Sequence, residues 1–323
     1  MRGHPDATHH ASETHGLPNH VESFVTMNVS SADRLLTLYL FRPILRRLGA
    51  ERQFRIPILM YHSVSRQAAT GNHSYYELNT SAEAFDLQMS HLKNDGYRII
   101  GLGEAVDRVS GSNSENAVKG EKVAVLTFDD GFRNFHDHAY PILKKYGFGA
   151  TVFLSTDYID RDRRIFEGRE CMTWEEIRFL SDEGIIFGSH AVTHEPLISM
   201  DMQTVKMELM QSKERIESET GKPVDYFSYP YRYPEHDKEF IRSIESLLAL
   251  AGYRAAVSTR IGTVKKGDGV YSLKRIPIST NDGGRMLAAK LEGAYDWLYR
   301  LQSWKKRSLF LYSLLGRRTS KSQ

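Results

Sequence analysis

The feature that most constrains the fold is an alternation that begins at residue 56. Short apolar, β-rich runs recur at 56–64, 97–102, 122–131, 149–156, 185–194, 224–231, 253–259 and 271–279. Helix patterns lie between them. Residues 82–94 follow Ser81 and place Phe85, Met89 and Leu92 on one face. Residues 174–183 follow Thr173 and Glu176, spaced as a capping box. Residues 202–220 start after Asp201 and stop at Gly221, a residue suited to the left-handed position past a helix end. Strands alternating with helices predict parallel βαβ units. Seven or eight such repeats fit a (β/α) barrel better than a sandwich.

The segments outside this pattern differ in charge. The chain has 323 residues and a net charge of +3. Residues 301–323 hold six basic and no acidic residues, and residues 1–55 have a net charge of +2. The body, 56–300, is therefore acidic, at −5. Basic ends on an acidic body do not make the basic face of a nucleic-acid enzyme. They suit peripheral attachment to an anionic membrane surface.

Residues 1–29 are polar, hold five histidines and predict a disordered leader. The chain does not open with a charged segment, an apolar core and a small-residue cleavage site, so the expected location is cytoplasmic or peripheral to a membrane. Residues 30–55 predict a basic amphipathic helix broken or kinked at Pro43. Residues 56–284 are the expected catalytic domain. Residues 285–323 predict a basic helical extension in which Trp297, Leu298, Leu301 and Trp304 share an apolar face. That face either docks on the barrel or lies in a membrane interface.

The chemistry gathers at strand ends. The run Val123–Phe128 is a buried strand that delivers two carboxylates, Asp129 and Asp130, followed by Gly131. Charge at the end of an apolar strand is costly unless a metal or a partner compensates it. Neighbouring strand residues point to opposite sides, so the two carboxylates need not share one task. His190 and His194 follow another apolar strand, at a spacing that lets both imidazoles reach one ion. Two imidazoles and a carboxylate suit one divalent metal: zinc foremost, or cobalt, nickel or iron. The single cysteine, Cys171, excludes an internal disulfide and any cysteine-built zinc site. Phe132, Trp174, Tyr229 and Tyr233 are candidates to line a sugar groove or to pack the core. His136 and His138 predict a solvated helix face.

These two strand ends carry a resemblance. Thr127–Gly131 matches the TFDDG motif of NodB-type polysaccharide deacetylases, carbohydrate esterase family four. His190–His194 matches that family's H-(Ser/Thr)-x-x-H motif, with Ala191 in the second place. The likeness implies a distorted (β/α)7-type barrel with helical N- and C-terminal extensions. It also implies Asp129 as catalytic base and Asp130, His190 and His194 as metal ligands. The run Ile58–Val64 is similar to the opening of the exopolysaccharide deacetylases of the PgaB/IcaB-like branch, which implies His62 as catalytic acid. The late Leu-x-His of the other branch reads here Leu273-Lys274-Arg275.

Two motifs depart from the pattern. The third reads Ser228-Tyr229-Pro230-Tyr231, without its arginine and with Arg232 where glycine is usual. The fourth lacks its aspartate in 253–259. The resemblance then leaves Arg275 or Arg232 to orient the base. It places Pro230 and Tyr231 at the oxyanion hole, through the Tyr231 N–H. The implied activity is metal-dependent removal of N-acetyl groups from an N-acetylated, GlcNAc-containing glycan, with release of acetate. The alternatives are an O-acetyl esterase on the same scaffold and a non-catalytic glycan-binding protein.

Overall fold

Seven of the apolar runs form parallel strands that close on themselves. They are β1 (Ile58–Tyr61), β2 (Val123–Phe128), β3 (Thr151–Leu154), β4 (Ile186–Ser189), β5 (Tyr226–Ser228), β6 (Ala255–Ile261) and β7 (Leu273–Pro277). Each pairs with its neighbour in chain order, and β1 pairs with both β2 and β7. Tyr61 lies opposite Phe128, and Met60 lies opposite Pro277. This computed structural model describes residues 31–49, 54–66, 79–111, 120–231, 233–235 and 237–299. Its seven-stranded parallel barrel with flanking helices is the architecture expected from the alternation and the motifs.

The two-residue period of a strand divides the core. Val123 and Val125 join Ile58, Phe153, Val257 and Leu273 in one apolar cluster. Ala124, Leu126 and Phe128 join the second cluster, which packs under the outer helices. Thr127 and Asp129 therefore continue the Val123–Val125 side of β2, and Arg275 continues the Leu273 side of β7. The same parity puts Ser228 on the Tyr226 side of β5.

The helices start and stop where local chemistry dictates. Ser81 caps Ala82–Asn94 by accepting the Ala84 N–H. Thr173 and Glu176 form the full capping box of Trp174–Asp182. Asp201 caps Met202–Thr220, and Gly221 ends it in the left-handed conformation.

One run behaves differently from its reading as a strand repeat. In 97–102 only Arg98–Ile99 is extended, paired with the start of β2 and outside the barrel closure. From Leu102 the chain is already the helix Leu102–Ser110. Its Leu102, Val106 and Val109 join the cluster of Ile58 and Val123.

Residues 31–47 are helical throughout, with a π turn over Thr37–Phe41. Pro43 has no N–H to donate, and the turn widens just ahead of it, with the Arg42 N–H reaching back to Thr37 O. The expected break at Pro43 is thus a local widening. This helix packs against the end of the described chain. Arg42 and Arg46 both grip the Glu292 carboxylate. Phe41 stacks on Trp297 at 4.6 Å, and the Trp297 indole N–H donates to Thr37 Oγ1 at 3.0 Å. Leu298 is fully buried. Leu301, Trp304 and the leader lie outside the described residues.

Candidate active site

His62, Asp129, Asp130 and His190 sit just past the C-terminal ends of barrel strands, and Arg275 lies on one. Asp129 follows β2 and is almost fully buried. Its carboxylate accepts two parallel hydrogen bonds from Arg275, Nη1 to Oδ1 and Nη2 to Oδ2, each 2.7 Å. Arg275 is held in turn. Its Nε donates to Ser258 O at 3.1 Å, and its Nη2 also reaches Ser228 Oγ at 3.0 Å. A buried bidentate pair of this kind is rigid in distance and plane. Burial pushes the Asp129 carboxyl up, but the charge and hydrogen bonds of Arg275, with help from His190 and His62, hold it below the ordinary carboxylate range. Of the two arginines proposed to orient the base, Arg275 stands against Asp129, and Arg232 lies outside the described residues.

Asp130 turns the other way. Its backbone has φ 73°, and Gly131 follows at φ 65°. A Cβ on Gly131 would come within 2.7 Å of Leu154 Cδ2, so the turn requires glycine. Asp130 Oδ1 lies 3.5 Å from His190 Nε2 and 3.2 Å from His194 Nε2. All three side chains are buried, and their ligand atoms lie within 4.8 Å of one another. His190 Nδ1–H donates to the Ser228 carbonyl at 2.7 Å, which leaves the Nε2 lone pair facing the Asp130 carboxylate. Two electron-pair donors turned toward each other fit a cation between them. Metal bonds of about 2.0–2.2 Å are compatible with these separations. Burial lowers the His190 imidazole to about 4, so it is neutral at pH 7, as a ligand must be. Burial pushes the Asp130 carboxyl up, yet the hydrogen bond and charge of His194 outweigh it and keep it well below the usual range.

The loop carrying the histidines is fixed by a residue that the sequence reading missed. Glu208 is buried, and its carboxylate accepts the N–H groups of Val192 at 2.7 Å and Thr193 at 3.0 Å. A signal for it exists in the sequence. Glu208 falls among Val205, Leu209, Ser212 and Ile216 on the buried stripe of its helix, where an acid needs a partner. Ser228 was also missed as a contributor in its own right. Its hydroxyl touches Arg275 and Asp129, and its carbonyl holds His190.

His62 follows β1 and stands across from Asp129, with Nε2 3.8 Å from Asp129 Oδ2. Burial lowers its pKa from the ordinary imidazole value, against the pull of Asp130 and Asp129. Pro230 is buried, and Tyr231 is 41% exposed with φ 53°, its ring 4.8 Å from His194. Phe166 packs on the same imidazole at 4.7 Å. Asp130, Ala191, His194 and Tyr231 all adopt left-handed backbone, so four of the five such non-glycine residues among the described residues surround this site.

Other candidates separate from it. Phe132, Trp174, Tyr229 and Tyr233 are each at most 3% exposed, so they are core and not a sugar groove. Aromatic residues near strand ends fill the space between barrel and helices, and exposure rather than residue type makes a platform. His136 bonds to Asp137 on its helix and is outside the metal-capable cluster. Cys171 is buried, and its thiol is pushed up to about 12 by burial, which makes it inert.

Known proteins share this architecture. The sequence pattern of the polysaccharide deacetylase family matches residues 116–255. YxkH of Bacillus subtilis, assigned to the polysaccharide deacetylases, is 30% identical over 76% of this chain and 79% of its own length. A poly-β-1,6-N-acetyl-D-glucosamine N-deacetylase of Staphylococcus aureus is 23% identical over 74% of this chain and 83% of its own. The deacetylase PplD of Streptococcus pyogenes, solved with acetate, superposes with a TM-score of 0.62 and 27% identity, over 74% of this chain and 99% of PplD. IcaB from Ammonifex degensii has the same fold, with a TM-score of 0.61 and 20% identity over 74% and 98% of the two chains.

Proposed function

The chain belongs to the polysaccharide deacetylase family, and from that premise we propose that it is a metal-dependent N-deacetylase acting on a GlcNAc-containing glycan. The observation that carries the reading is the pairing of a base clamped by Arg275 with an adjacent Asp–His–His cluster at one mouth of the barrel. The name of the staphylococcal relative supports the choice of N-acetylglucosamine polymer.

Asp130, His190 and His194 would hold the ion, zinc foremost. Such an ion supplies Lewis-acid charge toward the acetyl carbonyl and makes a water molecule easier to deprotonate. Asp129, kept ionised by Arg275, takes the proton of the attacking water. The Tyr231 N–H donates to the oxyanion that develops on the acetyl group, an interaction of the kind worth roughly 3–4 kcal/mol. His62 gives a proton to the departing sugar amine from across the site, 3.8 Å from Asp129. Acetate and a free glucosamine amine are the products. In domain terms, residues 56–284 would be the catalytic unit, with 30–55 and 285–323 as its extensions.

The test is acetate release by zinc-loaded protein from poly-N-acetylglucosamine, chitooligosaccharides and O-acetylated sugars in parallel. The expected result is release from the N-acetylated polymers. Release from O-acetyl substrates alone would make the protein an esterase. Neither acetate release nor bound metal would make it a glycan-binding protein.

A further inference from the structure

The helix over residues 31–47 has two unlike faces. One packs on residues 284–299 through Thr37, Phe41, Arg42 and Arg46. The other presents Leu35, Leu36, Tyr39, Leu40, Ile44 and, just past the helix end, Leu48. Each of these is at least 40% exposed among the described residues. They follow adjacent i, i+4 stripes, so they make one continuous apolar band. The π turn preserves the division, because its wider step keeps Phe41 and Arg42 on the packed side. A band of this size on a surface marks a contact site.

Charge identifies what the band meets. The helix carries Arg34, Arg42, Arg46 and Arg47 against a single acid of its own, Asp33; Arg42 and Arg46 share one carboxylate, Glu292, and Arg34 stands 3.8 Å from Asp282, so basic charge remains in excess there. The chain returns to this helix at Trp297, and residues 301–323 then add six basic residues and no acidic one. A second copy of the helix laid upon it would set cation against cation. An anionic lipid surface suits both properties, with the apolar band at the acyl boundary and the surplus basic charge of this end of the chain drawn to its phosphates. No helix among the described residues is long and apolar enough to cross a membrane, so the contact is in the plane of the surface. We propose that the band Leu35–Leu48 lies in the interface of an anionic bilayer and holds the barrel against it. The inference stands apart from the catalytic reading.

The experiment is co-sedimentation of the full chain with vesicles of phosphatidylglycerol and phosphatidylcholine, against phosphatidylcholine alone, at low and high salt. No glycan is present, so a failure of the catalytic reading leaves the result intact. Binding is expected to the anionic vesicles and to weaken with salt. Leu40→Glu combined with Ile44→Glu should reduce the bound fraction at least about tenfold. The milder pair Leu36→Gln and Leu48→Gln serves as the second variant, with unchanged circular dichroism as the folding control. Wild-type protein that stays in solution with both vesicle types overturns the proposal, as does undiminished binding of both well-folded variants. A wild-type dimer in light scattering that Ile44→Glu makes monomeric overturns it in favour of a second copy.

Discussion

Asp129 and Asp130 are neighbours in sequence and opposites in circumstance. Asp129 faces a cation that the chain itself provides, and both its oxygens are taken up by Arg275. Asp130 faces two imidazoles, one of which has its only proton turned away to Ser228. The first side is electrically complete as folded. The second would be completed by a cation. The lesson is that a DD pair at a strand end can be split by the strand's own alternation into a carboxylate clamped by an arginine and one that faces imidazoles.

Substitutions test how separate the two sides are. The largest effect expected is on Asp129→Asn, which should lose acetate release by about 10⁴-fold while zinc measured by elemental analysis stays stoichiometric. His190→Ala should lose both. An Asp129→Asn protein that also sheds its metal would merge the two sides into one. Next, His62→Ala should lower kcat by about 10²–10⁴-fold with metal retained, since it stands against Asp129 and is not one of the three clustered ligand side chains. A near-normal rate would make His62 a core imidazole.

Arg275→Ala removes the cation and leaves a buried carboxylate uncompensated, an expected loss of about 3–5 kcal/mol in urea unfolding. Arg275→Lys should recover part of that stability but little activity, because an ammonium cannot hold both oxygens in one plane.

Acid should act first on the imidazoles. Burial lowers His190 to about 4, and lowers His62 as well, from an unfolded value near 6.5. Between those pH values the unfolded chain binds the protons and the folded chain does not. Stability is therefore full above about pH 6.5 and falls as pH drops toward 4, with His190 alone contributing on the order of 3 kcal/mol. Melting of metal-free protein at pH 7 and pH 4.5 checks this, and equal Tm values would contradict it. The smallest effect is expected for Ser228→Ala, about 1 kcal/mol from the lost hydroxyl bonds. The His190 bond to the Ser228 carbonyl should survive, so zinc content should not change.

Much of this was legible in the sequence, for identifiable reasons. Strand ends carry their motifs with them, so once the runs at 122–131 and 185–194 are read as parallel barrel strands with one strand between them, Asp130 and the two histidines fall at the same mouth and can approach each other. Caps at Ser81, Thr173 and Asp201 depend on three or four consecutive residues, and local patterns of that kind can be read directly. The run 97–102 was harder, because Ile-Ile-Gly-Leu suits the end of a strand and the start of a helix equally. The partner of Asp129 could not be chosen from spacing. Arg275 is 146 residues away along the chain, and only barrel closure brings β7 beside β1, one strand from β2. Ser228 acts partly through its carbonyl, which every residue has, so no letter in the sequence announces it.

The left-handed backbone at Asp130, Ala191, His194 and Tyr231 has a consequence for anyone who would transplant this site. Four side chains copied onto another barrel would not reproduce it, because ordinary loops relax such residues to negative φ. The graft would need Gly131 with its close fit to Leu154, and Glu208 holding the 192–193 amides. Ala191 offers the converse opportunity. It supplies no ligand yet holds φ 67°, so Ala191→Gly would relieve strain there and leave the metal-facing atoms in place. The recipe for the site is thus written as much in turns as in side chains.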